Sequence, residues 1–123
     1  MASSKTPIVA GQGGQIPAVG YGTMLFPDAE SAVELITHSL HCGYRHIDTA
    51  RKYGSEKWVG EAIRTSRVPR EDIWITTKVT EENANADDFA RSVETSLKTL
   101  DVAYVDLLLM VVFLPLAHQV III

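Results

Sequence analysis

The sequence contains little cysteine and few basic residues. Cys42 is its only cysteine, so no intramolecular disulfide can form; this favours a reducing compartment and predicts a cytoplasmic protein. Lysine and arginine total 11 against 15 acidic residues, which argues against a nucleic-acid or anionic-membrane surface. The N-terminal segment lacks the apolar core of a signal peptide, and the longest non-polar run, 107–117, is too short for a membrane helix of about 20 residues. We therefore expect neither a nucleic-acid nor a membrane partner.

The sequence does contain regular alternation between strand-like and helix-like apolar patterns. Glycines at 11, 13 and 14 predict a hairpin from Ile8 to Pro17, because glycine adopts the positive φ of a tight turn. Amphipathic helices are predicted to open at three capping residues, which are Asp28, Ser55 and Asn85. Strands are predicted at 18–23, 44–48, 73–79 and 104–110, and the apolar character of the last predicts burial on both faces.

This alternation predicts an α/β fold with a parallel sheet and helices outside it. Both a doubly wound sheet and a (β/α)₈ barrel fit the pattern. A typical barrel needs roughly 250 residues, so a 123-residue chain would supply only about half of one. A Rossmann domain would need Gly-x-Gly-x-x-Gly between its first strand and helix, and Gly20-x-Gly22 lacks the third glycine.

Three ionisable residues fall at predicted strand ends or just after them: Asp48, Tyr53 and Lys78. In a barrel they would share one face, because active sites there are built from the loops that follow the strands. A lysine ammonium beside a tyrosine stabilises the phenolate form, and a carboxylate paired with the lysine keeps it charged and in position. We therefore expect Tyr53 to act as a general acid toward a carbonyl oxygen, although each residue alone also has an ordinary structural interpretation.

The segment 43–60, Gly-Tyr-Arg-His-Ile-Asp-Thr-Ala-Arg-Lys-Tyr-Gly-Ser-Glu-Lys-Trp-Val-Gly, closely resembles the N-terminal motif of the aldo-keto reductases. The resemblance continues on both sides, in Gly20-Tyr21-Gly22-Thr23 and in Ile73-Trp74-Ile75-Thr76-Thr77-Lys78. Val105-Asp106-Leu107-Leu108-Leu109-Met110 also resembles the fourth strand of that family.

The resemblance implies a partial (β/α)₈ barrel, with an N-terminal β-hairpin and about three and a half βα units. It implies reduction of aldehydes or ketones to alcohols, with NADPH as the cofactor and without a metal. Tyr53 matches the family's proton donor, and Asp48 and Lys78 match its supporting pair. Gly22, Thr23 and Asp48 match positions that approach the nicotinamide end of the cofactor. The expected partner is a small-molecule carbonyl substrate.

The resemblance stops after Met110, where the family usually continues with His-Trp-Pro and the histidine belongs to the catalytic set. Here 111–113 read Val-Val-Phe, and His118 lies too late to be expected as a replacement. We expect residues 1–110 to be the N-terminal half of the barrel and 111–123 to be an apolar tail unlike the family, derived from a frameshift or a retained intron. Met24 and Thr80 stand where many relatives carry pocket aromatics.

Two alternatives to an active reductase follow from this ending. One is a truncated and catalytically inactive fragment. The other is an interaction module, in which the open edges of a half-barrel associate with another chain or with a second copy. A metal site is not expected, because His38 and His41 flank a helix end without a nearby acidic partner.

Overall fold

The computed structural model describes residues 7–9, 15–80, 85–114 and 117–122, with side chains described for 15–80 and 85–111. Three α-helices lie in these ranges: α1 (Ala29–His41), α2 (Glu56–Ser66) and α3 (Ala86–Leu100). The strands are β1 (Pro7–Val9), β2 (Gln15–Pro17), β3 (Tyr21–Gly22), β4 (His46–Asp48), β5 (Trp74–Thr80), β6 (Leu107–Leu114) and β7 (Ala117–Ile122).

The predicted N-terminal hairpin is confirmed, because β1 and β2 pair antiparallel with Ile8 opposite Ile16. The glycines on which that prediction rested lie outside the described residues. The second sheet has the order β3-β4-β5-β6-β7. Its first four strands are parallel neighbours in chain order, and β7 pairs antiparallel with β6.

The helices pack side by side against one face of this sheet. A single apolar core joins them to β4 and β5, and its fully buried members include Ile36 of α1, Val59 of α2 and Leu100 of α3. A doubly wound sheet reverses its strand order and covers both faces, whereas here every parallel crossover advances one strand in the same direction. The arrangement is that of a barrel wall, as the family resemblance implied, and not the doubly wound sheet that the alternation of strands and helices also allowed.

Local sequence signals account for where α1 and α3 begin and for where α1 ends. Asp28 caps α1, since its carboxylate accepts from the backbone N–H of Ser31 at 2.7 Å. Asn85 caps α3 by accepting from the N–H of Asp88 at 2.9 Å. Gly43 follows α1 with φ of 100°, a left-handed conformation that glycine adopts without strain.

Ser55 is the N-cap residue of α2, as predicted, but its side chain makes no capping hydrogen bond. Its hydroxyl instead lies 3.1 Å from the Thr23 hydroxyl, and both residues are buried. The prediction was right about the position and wrong about the contact. A buried hydroxyl neighbour competed with the helix end for the same oxygen.

The predicted first and last strands differ from those observed. β3 is limited to Tyr21–Gly22, and β6 begins at Leu107 and continues past Met110 to Leu114. The expectation that the last strand is buried on both faces was wrong, because residues 107–111 are only half-buried. The described part of the chain includes no helix after β6 that could cover its outer face.

Part of the apolar tail forms β7, which pairs with β6 so that His118 lies opposite Phe113 in the backbone register. The side chain of His118 lies outside the described residues. Within the ranges that the structure describes, no helix combines the length and apolar character that crossing a membrane requires.

Candidate active site

The three predicted site residues converge at the carboxyl ends of neighbouring strands. Asp48 is the last residue of β4, and Lys78 lies near the end of β5. Tyr53 ends a 3₁₀ turn, Arg51–Tyr53, which joins β4 to α2. Because β4 and β5 are parallel with Asp48 opposite Thr76, the longer β5 carries Lys78 beyond the end of β4. Its side chain can therefore reach across to both other residues.

Lys78 is the centre of the arrangement. Its ammonium Nζ lies 2.5 Å from Oδ1 of Asp48, 3.1 Å from the carbonyl oxygen of Thr49 and 3.3 Å from the hydroxyl of Tyr53. The lysine side chain is 16% exposed and the aspartate is 41% exposed. A mostly buried ammonium thus has a carboxylate, a carbonyl and a phenol as acceptors. The chain Asp48–Lys78–Tyr53 that the sequence predicted is present as continuous contacts.

The turn that presents Tyr53 is held by residues on both of its sides. Arg51 donates from Nη1 to the hydroxyl of Ser92 on α3, at 2.5 Å. Gly54 follows Tyr53 with φ of 70°, and this left-handed residue lets the chain leave the 3₁₀ turn and enter α2. The side chain of Tyr53 is therefore fixed by turn geometry that a short sequence pattern cannot specify alone.

Thr23 lies at the site, and its hydroxyl is directed inward. Its side chain is fully buried, and its Oγ1 lies 3.3 Å from the carbonyl of Asp48 and 3.1 Å from the hydroxyl of Ser55. Thr49 completes this cluster, with its hydroxyl 3.4 Å from that of Ser55. These contacts join β3, β4 and the start of α2. Neither Ser55 nor Thr49 was predicted to belong to the site, although both lie in the motif around Tyr53.

Gly22 lies opposite Asp48 in the parallel pairing of β3 and β4. A Cβ added at Gly22 would have no atom within 4 Å, so neither packing nor backbone angle requires glycine there. The space above this residue is open, beside the Asp48 side chain. Gly22 and Thr23 are therefore placed at the strand end where the sequence predicted them, and their part in cofactor binding stays a prediction.

A cavity of about 520 Å³ opens beside Tyr53 and Lys78. Its wall is mostly apolar and is formed by Met24, Leu25, Ala50, Lys52, Tyr53, Lys78, Thr80 and Val111. Met24 and Leu25 are strongly exposed, at 61% and 85%. Val111 lies in this wall, so the position at which the family resemblance leads us to expect a histidine faces the same space as Tyr53. Apolar walls that converge on a few polar groups are typical of small-molecule sites.

A histidine, His46, lies two residues before Asp48 on β4. Nε2 of His46 lies 2.9 Å from Oγ1 of Thr76, which in turn accepts from the indole N–H of Trp74 at 3.2 Å. Burial lowers the pKa of His46 below its usual value, and Asp48, the backbone at Pro17 and Asp106 partly oppose that effect. Because the indole donates to Thr76, the threonine hydroxyl can donate to Nε2 of a neutral His46.

His38 and His41, the two histidines of α1, contact neighbouring residues and not each other. Nε2 of His38 lies 3.3 Å from Sγ of Cys42, and Nε2 of His41 lies 3.1 Å from the carbonyl of Ser66. Among the residues with described side chains, no three His, Cys, Asp or Glu groups are placed to hold a metal ion.

Comparison with known proteins agrees with this geometry. A model of the aldo/keto reductase family matches residues 18–115. Methylglyoxal reductase DkgB of Salmonella typhi is 44% identical over 94 residues, which cover 76% of this chain and 35% of that protein. An aldo/keto reductase structure from Brucella melitensis has a TM-score of 0.80 at 38% identity, over 89% of this chain and 42% of the other. Bombyx mori aldo-keto reductase in complex with NADP has a TM-score of 0.77 at 31% identity, over 89% and 39%.

The fold and the match define an α/β protein that forms part of a (β/α)₈ barrel. The chain belongs to the aldo/keto reductase family. It spans about a third of the length of the curated relatives that it matches. The family match ends at residue 115, and the boundary that we expect after Met110 stays a prediction.

Proposed function

We propose that this chain carries the proton-transfer residues of an NADPH-dependent reductase that converts aldehydes or ketones to alcohols. The observation that carries the proposal is the continuous contact from Asp48 through Lys78 to the Tyr53 hydroxyl, on the wall of an apolar cavity. The relative from Salmonella typhi is named for methylglyoxal reduction, and the Bombyx mori relative was solved with NADP. These names support a carbonyl substrate and a nicotinamide cofactor for this chain as well.

Each side chain has a distinct part in the proposed proton transfer. The carbonyl oxygen of the substrate gains negative charge as its carbon is reduced, and Tyr53 donates its hydroxyl proton to that oxygen. The Lys78 ammonium, 3.3 Å from the same hydroxyl, stabilises the phenolate that remains. Asp48 accepts from Lys78 and keeps the ammonium directed toward the tyrosine. Positioned proton donors of this kind typically contribute about 10² to 10⁴ in rate.

The residues at the ends of β3 and β4 fit a nicotinamide group. Bound NADPH would supply the hydride. Gly22 leaves open space at the strand end, and Asp48 beside it keeps 41% of its side chain exposed. We propose that Gly22, Thr23 and Asp48 approach the nicotinamide end, with Thr23 acting through the backbone that its buried hydroxyl anchors to Asp48. The single cysteine is the basis on which we propose a cytoplasmic location for this chemistry.

Val111 favours a second candidate function. In it, the chain keeps the proton-transfer residues of the family but has no catalytic turnover by itself. The Val111 side chain lines the cavity next to Tyr53 and can neither donate nor accept a hydrogen bond. A substrate oxygen would then have Tyr53 as its donor without the help of a histidine. In that case the open sheet would serve self-association or binding to another chain instead.

The experiment that tests the proposal is NADPH consumption by the purified chain with a panel of aldehydes that includes methylglyoxal. Tyr53→Phe is the control, because it removes the donated proton and keeps the ring. Turnover that disappears in Tyr53→Phe supports the reductase. Turnover that survives in it refutes the role of Tyr53, and absence of turnover in both favours the second candidate. Val111→His then asks whether a histidine at the cavity wall restores the reaction.

A further inference from the structure

Glu56 is a buried acidic residue that the proposed chemistry does not use. It is the first residue of α2 and only 4% of it is exposed. Its Oε1 accepts a hydrogen bond of 2.6 Å from the hydroxyl of Thr77, which is 1% exposed. A carboxyl group that is removed from water needs such a partner, since burial without one costs free energy. The contact is therefore a specific link between α2 and β5.

The two ends of this link are next to the two residues that must meet at the site. Thr77 directly precedes Lys78, and because side chains alternate along a strand, Thr77 points toward the helices while Lys78 points into the cavity. Only Gly54 and Ser55 separate Glu56 from Tyr53. Thr77 therefore contacts Glu56 on the helix side of the sheet, and Lys78 contacts Tyr53 on the cavity side. Two neighbouring residues of β5 thus hold the turn that carries Tyr53.

A second contact holds the other end of the same turn. The backbone N–H of Thr49 donates to the carbonyl of Thr76 at 2.9 Å, just after β4 ends. This backbone hydrogen bond and the Glu56–Thr77 contact attach the chain to β5 before and after Tyr53. Loss of the Glu56–Thr77 contact removes the attachment to β5 on the α2 side of Tyr53, while Arg51 still bonds Ser92 on the other side. The distance between the Tyr53 hydroxyl and Lys78 can then increase.

We propose that Glu56 is a positioning residue, which acts through Thr77 to set the distance between the Tyr53 hydroxyl and the Lys78 ammonium. The inference rests on the proposed function, because it assigns Glu56 to the same proton-transfer site. It requires a hydrogen-bond acceptor at position 56 and a hydroxyl donor at position 77. A glutamine at 56 or a serine at 77 keeps these atoms, whereas Glu56→Ala and Thr77→Val remove them.

The test uses the ring signals of Tyr53 in the NMR spectrum of the tyrosine-labelled full chain, assigned with Tyr53→Phe. Lys78→Met supplies the reference, because it removes the ammonium from the tyrosine hydroxyl. We expect the Tyr53 signal in Glu56→Ala and Thr77→Val to move most of the way to its position in Lys78→Met. In Glu56→Gln and Thr77→Ser it should stay near the wild-type position. Thr77→Val is nearly isosteric, so it keeps the test available if Glu56→Ala does not fold.

Ser66→Ala is the matched control for general loss of stability. Ser66 is also a buried hydroxyl of α2, but it bonds the carbonyl of Ile63 at the opposite end of the helix from Tyr53. Its removal should leave the Tyr53 signal unchanged. An equal displacement in Ser66→Ala would overturn the proposal, since Glu56 would then act only through the stability of α2.

The remaining outcomes separate this inference from the proposed function. A Tyr53 signal that moves in Lys78→Met but stays at its wild-type position in Glu56→Ala and Thr77→Val overturns the role of Glu56 and leaves the site intact. A signal that does not move in Lys78→Met refutes the Tyr53–Lys78 contact, and with it both proposals. Where turnover is measurable, we expect kcat to fall about 10- to 100-fold in Thr77→Val with little change in KM, and to recover in Thr77→Ser.

Discussion

Replacing Asp48 and replacing Lys78 are predicted to lower the free energy of unfolding by different amounts, although the two residues form one ion pair. The lysine side chain is 16% exposed, whereas the aspartate is 41% exposed. Asp48→Asn leaves a mostly buried ammonium without its anionic partner. Lys78→Met leaves a carboxylate that water still reaches, and it replaces the lysine stem with an apolar side chain of similar length. We therefore expect Asp48→Asn to destabilise the chain more than Lys78→Met does.

The loss of unfolding free energy for each substitution can be placed between two known limits. Exposed ion pairs contribute about 0.2 to 1 kcal/mol, and breaking a fully buried pair costs about 3 to 5 kcal/mol. With one partner mostly buried and the other nearly half exposed, Asp48→Asn should cost about 2 kcal/mol. Lys78→Met should cost about 1 kcal/mol, because the carboxylate that it leaves is hydrated. The thermodynamic coupling between the two positions should be about 1 to 2 kcal/mol.

The assay is urea unfolding at neutral pH, followed by the fluorescence of Trp58 and Trp74, for the wild type, both single variants and the double variant. The coupling free energy is obtained from the complete cycle, so effects that each substitution has elsewhere cancel. A coupling near zero would refute the conclusion that the contact is a stabilising pair. A larger cost for Lys78→Met than for Asp48→Asn would refute the argument from exposure.

Two further substitutions test the structure away from the ion pair. Gly60→Ala should destabilise the chain by about 1 to 2 kcal/mol although alanine favours helices, because the new Cβ would meet backbone atoms of Leu100, with its carbonyl carbon at 2.8 Å; urea unfolding measures this, with the exposed Lys57→Ala as control. For His46, burial lowers the pKa below the ordinary histidine value of about 6.5, so the unfolded chain binds the proton more readily. The stability of the native fold should therefore fall as the pH is lowered below about 6.5, and His46→Gln should flatten that dependence.

Each of these two predictions has an outcome that contradicts it. A gain in stability for Gly60→Ala would mean that α2 and α3 are not as close as the structure shows. For His46, the relevant quantity is the difference in unfolding free energy between wild type and variant across the pH range. A difference that grows as the pH falls below 6.5, in favour of the wild type, would show that the native fold binds the proton more tightly than the unfolded chain does.

Much of the site could be predicted because its residues lie in one local motif and in one strand. Asp48 and Tyr53 lie within the 43–60 segment, and Lys78 ends the next predicted strand. In a parallel sheet the carboxyl ends of neighbouring strands meet at one edge, so their convergence follows from strand assignment alone. The family match over residues 18–115 and the similarity to solved reductases confirm the family to which that motif points.

Other parts of the site were not predictable from local pattern. Ser55 has the sequence position of a helix cap, yet its hydroxyl contacts Thr23, from which it is separated by an entire helix and strand. Glu56 resembles an ordinary acidic residue in the first turn of a helix, where such residues are common for electrostatic reasons. Its contact with Thr77 depends on how α2 packs against β5, which no short window of sequence contains.

By itself, the sequence determined the order of strands and helices, because apolar periodicity and capping residues act over a few neighbouring positions. It also determined which residue types were available for proton transfer. The alternation of strands and helices left a barrel and a doubly wound sheet open, and the family resemblance implied the barrel. The tertiary structure confirmed it, since the choice depends on which face each crossover covers. It also decided the distances among Asp48, Lys78 and Tyr53. Strand register and helix packing set those distances, and both are interactions between residues far apart in the chain.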